Sequence, residues 1–140
     1  MTTWHKFILA ILLLIVQLGC AGSMKGVVRQ DAKRVEFSYT DSRVGVGSLQ
    51  ALLPGGERFK GKIVRIGSTD DQSDTAVSGS ESTDFEDVKL FDGNAEATLS
   101  GDKGNTMKCR FNLADSIIGL SSGGFGLCQV SDGRVIDIFF

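Results

Sequence analysis

The sequence predicts an all-β domain: a small antiparallel curved sheet, barrel or sandwich of about seven to nine strands. Apolar and polar residues alternate along several short segments, which is typical of half-buried antiparallel strands. Turns rich in Gly, Asp and Asn separate these segments. After residue 20, no stretch keeps a helical apolar stripe for three turns, so the period of two dominates.

The N-terminus has a different pattern. The run from Phe7 to Val16 is uninterrupted apolar sequence, and Lys6 precedes it. A membrane-spanning helix needs about 20 apolar residues, so this run is too short to cross a bilayer. A positive start, a short apolar centre and small residues after it predict a secretory signal peptide.

The segment QLGCAGS at the end of this run resembles the lipobox of bacterial lipoproteins, with Gly19 before the cut and Cys20 as the modified residue. Gln17 stands where the family usually has an aliphatic residue. The resemblance implies a signal peptide over residues 1–19, acyl chains such as palmitate on Cys20, a tether over 20–25 and a β-domain over 26–140. Two or more acyl chains hold a protein stably on a membrane. An ordinary signal peptide cut near AGS remains the alternative.

The resemblance also implies a location. Ala21 follows the modified cysteine, whereas an Asp at that position is associated with retention in the inner membrane. We therefore expect a lipid-anchored protein of the bacterial cell envelope, on the periplasmic face of the outer membrane.

Four segments carry the alternation most clearly, and the inward residues of each are apolar or glycine. These segments are RVEFSYT, RFKGKIV, NAEATLS and TMKCRFNL, which begin at Arg34, Arg58, Asn94 and Thr106. The turns that separate strands are PGGE at Pro54, GDKGN at Gly101 and SDGR at Ser131. Each segment is therefore predicted to be a strand with one buried face.

Two long segments share a glycine pattern. GVGSLQALLPGGERFKG and GFGLCQVSDGRVIDI both begin G-x-G, turn on a glycine and return through a second strand. The first resembles a MORN-type hairpin, with Phe59 and Gly61 as the aromatic–glycine pair, and the second has Ile136 and Ile138 there. The resemblance implies only a hairpin-by-hairpin architecture. Strand glycines otherwise predict bulges or a close approach of two backbones.

One predicted strand carries a basic stripe on its outward face, formed by Arg58, Lys60 and Lys62. This stripe is a possible anion-binding site for phosphates or carboxylates of an envelope polymer. A plain solvated face is the alternative, since Lys on an edge strand also blocks edge-to-edge pairing. The formal net charge of the chain is −2, and nothing in it suggests a nucleic-acid partner.

The region from about residue 67 to 87 is rich in Ser, Thr, Asp and Gly. Asp70, Asp71 and Asp74 lie close together, but their spacing does not match an EF-hand calcium loop. We therefore predict an acidic solvated loop and no metal site.

The remaining cysteines, Cys109 and Cys128, are predicted to form a disulfide, because the exported part of the chain would meet an oxidising compartment. Two buried free thiols are the alternative. The only histidine, His5, lies in the leader, which excludes Ser-His-Asp and Cys-His chemistry in the processed protein. We therefore predict no catalytic residues and no cofactor.

These observations together predict a membrane-anchored cell-envelope lipoprotein that acts as a non-catalytic binding or assembly module. Its partners would be the membrane, through the lipid on Cys20, and an envelope protein or polymer. The alternative is a small hydrolase that uses carboxylates to act on envelope polymers.

Overall fold

The computed structural model describes residues 20–41, 45–66 and 85–140, which form a closed barrel of eight antiparallel strands. Each strand pairs with the next along the chain, and β8 pairs with β1 to close the sheet. The strands are β1 (Cys20–Val28), β2 (Arg34–Asp41), β3 (Val46–Leu52), β4 (Arg58–Arg65), β5 (Ala95–Gly101), β6 (Thr106–Leu113), β7 (Gly124–Val130) and β8 (Val135–Phe139). The predicted all-β class is confirmed.

The interior of the barrel is filled by the alternate residues of every strand, as the pleat of a strand requires. The largest fully buried side chains are Phe37, Phe59, Phe111, Met24, Leu49, Leu53, Leu99, Met107, Ile136, Ile138, Val28 and Val130. They come from all eight strands and the turn after β3, and they form one core cluster. The barrel is therefore packed with side chains.

The first strand begins earlier than the sequence indicated. We expected a tether over residues 20–25, but these residues form the start of β1, and Cys20 pairs with Asp41 of β2. The alternation was hidden because two inward positions are Gly22 and Gly26. A Cβ at Gly22 would lie 2.5 Å from the Cζ atom of Tyr39, so the missing side chain leaves room for that aromatic ring.

Among the described residues, two short helices interrupt the strands: α1 (Glu86–Leu90) and a 3-10 helix (Leu120–Ser122). On the outer surface of the barrel, Val88 of α1 packs against Leu127 and Val135. The expected acidic loop over 67–87 therefore ends earlier, because its last residues belong to the helical turn that starts at Phe85. Residues 67–84, including Asp70, Asp71 and Asp74, lie outside the described residues.

A close approach of two backbones occurs where a strand glycine predicted it. Gly61 of β4 pairs with Leu99 of β5, and a Cβ at this glycine would lie 2.0 Å from the carbonyl oxygen of Thr98. Any side chain there would push the two strands apart. Glycine is therefore required by space at this position.

The predicted disulfide between Cys109 and Cys128 is present. The two residues lie directly opposite each other on β6 and β7, with their Cα atoms 4.0 Å apart. Both are fully buried within the core cluster. The bond therefore links two neighbouring strands from inside the barrel.

We predict that the double variant Cys109→Ala/Cys128→Ala is less stable than the wild type by about 3 kcal/mol, since it frees a loop of roughly 20 residues in the unfolded chain. Urea unfolding followed by far-UV circular dichroism measures the difference. A reducing agent should lower the wild-type midpoint to a similar extent and leave the variant unchanged. An unchanged midpoint for both the reduced wild type and the variant would contradict the prediction.

Candidate anion-binding face

The basic stripe lies on the outer wall of the barrel. Arg58, Lys60 and Lys62 are all exposed on β4, while Phe59 and Ile63 of the same strand are buried in the core. The strand is central in its neighbourhood, because it pairs with β3 on one side and β5 on the other. Protection of a free edge therefore does not account for these lysines.

The structure divides the stripe into two parts. Arg58 and Lys60 line a shallow groove of ≈ 510 Å³ on the outer faces of β2, β3 and β4. Lys62 lies farther along the strand, opposite Thr98, and borders a separate depression with Glu96. Only two of the three predicted residues therefore share one site.

A third cation joins the groove from another strand. Arg34 of β2 lines it together with Ser38 and Gln50, whose side chains add polar groups. Arg34 was not predicted from the sequence, because its position across β3 from β4 follows only from the order of the strands and their register. The outward parity of Arg34 within RVEFSYT was the only available signal.

The charge of the groove is unbalanced. Its lining contains the cations Arg34, Arg58 and Lys60, and Glu36 is its acidic residue. Within the described ranges, no carboxylate lies within ion-pair distance of these three cations. The groove therefore offers uncompensated positive charge to an anionic ligand.

Polar interactions close the end of the barrel nearest this groove. We call it the hairpin end, and it consists of the turns at residues 29–33, 53–57, 102–105 and 131–134. Glu57 is buried there, and its Oε2 accepts a hydrogen bond from Asn105 Nδ2 at 2.9 Å. Arg134 Nη2 lies 3.5 Å from Glu57 and 2.6 Å from Asp132. One guanidinium therefore contacts two carboxylates.

The same contacts shift two pKa values. Burial alone raises the pKa of Asp132, but hydrogen bonds from the side chain and backbone of Arg134 outweigh it and lower that pKa below its ordinary value. The side-chain hydrogen bond to Asp132 in turn raises the pKa of Arg134. A general acid needs a raised carboxyl pKa, which is the opposite direction for Asp132.

The opposite end of the barrel, where β1 starts, is held by a buried ion pair; we call this end the rim. Arg65 Nη2 lies 2.7 Å from Asp41 Oδ1, with side chains 14% and 6% exposed. The amide of Leu120 donates to Asp41 Oδ2 at 2.9 Å, and Arg65 donates to the carbonyl of Ile117 at 3.0 Å. The pair therefore fixes the loop between β6 and β7, and Asp41 is the backbone partner of Cys20.

In the part of the chain that the structure describes, no three His, Cys, Asp or Glu residues are grouped so that they could hold a metal ion. Over the same residues, no helix has the length and apolar character to cross a membrane. No protein-family model, curated protein or solved structure matches this chain.

We predict that Asp41→Ala lowers the free energy of unfolding by about 3 kcal/mol or more, because it removes the carboxylate that pairs with the buried guanidinium of Arg65. The amides of Ile117 to Leu120 should then exchange with deuterium faster than in the wild type. Asp31→Ala is the matched control, since its ion pair with Lys33 is exposed and should contribute little. Equal exchange in both variants would contradict a special role for Asp41.

Proposed function

We propose that this protein is a membrane-anchored cell-envelope lipoprotein whose barrel is a non-catalytic module that binds an anionic polymer or protein of the envelope. The observation that carries the proposal is the groove of Arg34, Arg58 and Lys60, which has no ion-pair partner among the described residues. The lipid on Cys20 rests on the lipobox resemblance.

The groove suits a ligand that carries phosphates or carboxylates. A guanidinium presents paired donors that match both groups, and a lysine adds a mobile charge. Gln50 of β3 lies opposite Lys60 of β4, next to Arg58 on the same face, so side-chain donors from two neighbouring strands line one short path. A repeating polyanion could meet several of these cations at once, which favours a polymer over a single small anion.

The position of the groove fits an anchored protein. Arg34 of β2 lies opposite Val27 of β1, and Cys20 begins β1 at the rim. From Cys20 to Val27, β1 rises roughly 23 Å at about 3.3 Å per residue. A lipid on Cys20 would therefore hold the rim at the membrane and direct the groove away from it.

A carboxylate-dependent hydrolase remains the competing proposal. Glu57 and Asp132 both contact the guanidinium of Arg134, which places a positive charge beside each carboxylate. Within the described ranges, the carboxyls with a resolved pKa shift are Asp31 and Asp132, and both are lowered, which supports the non-catalytic proposal. Turnover of an envelope polymer that is lost in Glu57→Gln would favour the hydrolase.

We predict that the wild-type protein incorporates a radiolabelled fatty acid when it is expressed in a bacterial host, and that Cys20→Ala does not, because the acceptor thiol is gone. The variant should keep its leader or leave the membrane fraction. Cys109→Ala/Cys128→Ala is the control, because it removes cysteines but should keep the label. Equal labelling of wild type and Cys20→Ala would overturn the anchor.

We predict that Arg58→Gln/Lys60→Gln weakens binding to polyphosphate and to a polycarboxylate by at least about tenfold, since each lost charge-assisted contact contributes about 1.5 kcal/mol or more. Lys108→Gln is the control, because Lys108 lies on β6, away from the groove, and packs over the ring of Phe85. Titration calorimetry at fixed ionic strength measures the affinities. Equal affinities of both variants and the wild type would contradict the groove as the binding site.

A further inference from the structure

Exposed apolar side chains gather at the rim of the barrel. Ile117 and Ile118 occupy the loop between β6 and β7 and are 87% and 57% exposed. Phe125 near the start of β7 and Phe139 at the end of β8 are 48% and 61% exposed. Val64, near the end of β4, is also exposed. The strand directions place these residues in the half of the barrel where β1 begins, with Phe139 farthest from Cys20 because it lies opposite Lys25.

The loop that carries Ile117 and Ile118 is rigidly held. Asp115 Oδ1 accepts hydrogen bonds from the amides of Ile117 at 2.7 Å and Ile118 at 3.1 Å. Arg65 binds the carbonyl of Ile117, and Leu120 inserts into the core. The amides of Ile117 and Ile118 and the carbonyl of Ile117 are thus paired within the protein while both side chains are exposed, so little backbone entropy is lost when a partner buries these side chains.

An aromatic group continues the apolar surface on the other side of this loop. Phe125 lies opposite Phe139 in the pairing of β7 with β8. The ring of Phe91, which follows α1, meets Phe125 edge-on with centroids 5.8 Å apart. Aromatic rings near a membrane favour the interface between the headgroups and the acyl chains.

We propose that this rim lies in the interface of a lipid bilayer, with Ile117 and Ile118 inserted among the acyl chains and Phe125 and Phe139 beside them. The inference rests on the proposed anchor at Cys20. It follows from where the chain enters the barrel: Cys20 is the first residue of β1, with no tether between it and the sheet.

Asp41 links the proposed attachment point, Cys20, to the loop that carries Ile117 and Ile118. Cys20 pairs with Asp41, and the ion pair of Asp41 with Arg65 holds the loop. A lipid on Cys20 would therefore bring the rim itself, and not a distant part of the domain, against the headgroups. The charges of Asp41 and Arg65 compensate each other, so this ion pair adds little net charge beside Ile117 and Ile118.

The test uses a single tryptophan as a depth reporter. Trp4 is the only tryptophan of the chain, so Trp4→Phe leaves a background in which an introduced tryptophan is unique. Ile118→Trp places the reporter on the loop, and Leu52→Trp places it at the hairpin end at a similarly exposed position (57% and 52%). The full-length proteins, expressed with a labelled fatty acid, are reconstituted into vesicles of phosphatidylcholine and phosphatidylglycerol with brominated acyl chains.

We expect the brominated lipids to quench the Ile118→Trp emission by about half or more, because interfacial side chains reach roughly 5–10 Å into the bilayer, and to leave Leu52→Trp nearly unquenched. Phe139→Trp is a second reporter, should Ile118→Trp fail to fold by circular dichroism. It should also be quenched.

The outcomes separate this inference from the anchor. Lipid label on Cys20 with equally weak quenching at all reporter positions would overturn the rim inference and keep the anchor. Absence of label would overturn the anchor; in that case unquenched rim reporters would overturn the rim inference too, whereas quenched rim reporters would uphold it.

Discussion

The pairing of β1 with β8 is the contact on which the rest of the structure depends. It runs from Lys25 opposite Phe139 to Val28 opposite Ile136, and it converts an open sheet into a closed barrel. Closure removes both free edges of the sheet, which would otherwise be able to pair with other chains. The two strands are staggered, because Phe139 at the end of β8 lies opposite Lys25 in the middle of β1, and Cys20 to Met24 extend beyond the end of β8 towards the rim.

Closing so small a barrel crowds its interior, and paired glycines relieve the crowding. Gly22 lies opposite Tyr39 on β2, and Gly126 lies opposite Phe111 on β6. In each case an added Cβ would meet the aromatic ring at about 2.4–2.5 Å. The ring covers the space above the glycine, so a large and a small residue share one volume across the strands. This arrangement keeps the core filled without forcing the strands apart.

The sequence predicted the fold best where inward and outward residues differ in chemistry. The segments that became β2, β4, β5 and β6 have apolar or glycine inward residues and mostly polar outward ones, whereas β1 escaped detection because Gly22 and Gly26 occupy inward positions. The helix α1 is too short to give a periodic signal. At the groove, alternation along one strand was enough to find Arg58 and Lys60. Arg34 could not be found, because its place depends on the register of three strands.

The two ends of the barrel differ in chemistry, and this difference bears on which anion the groove would meet. The hairpin end buries Glu57 within a polar network, while the rim exposes Ile117 and Phe139. With the rim at a membrane and strands tilted by about 40°, the roughly 23 Å along β1 from Cys20 to the level of Arg34 becomes about 18 Å of height. Charges in solution are screened over about 8 Å at physiological ionic strength, so anionic headgroups would exert little attraction at that height. The cations of the groove would therefore remain available to a ligand that extends away from the bilayer, and a polymer reaches such a site more easily than a lipid headgroup does.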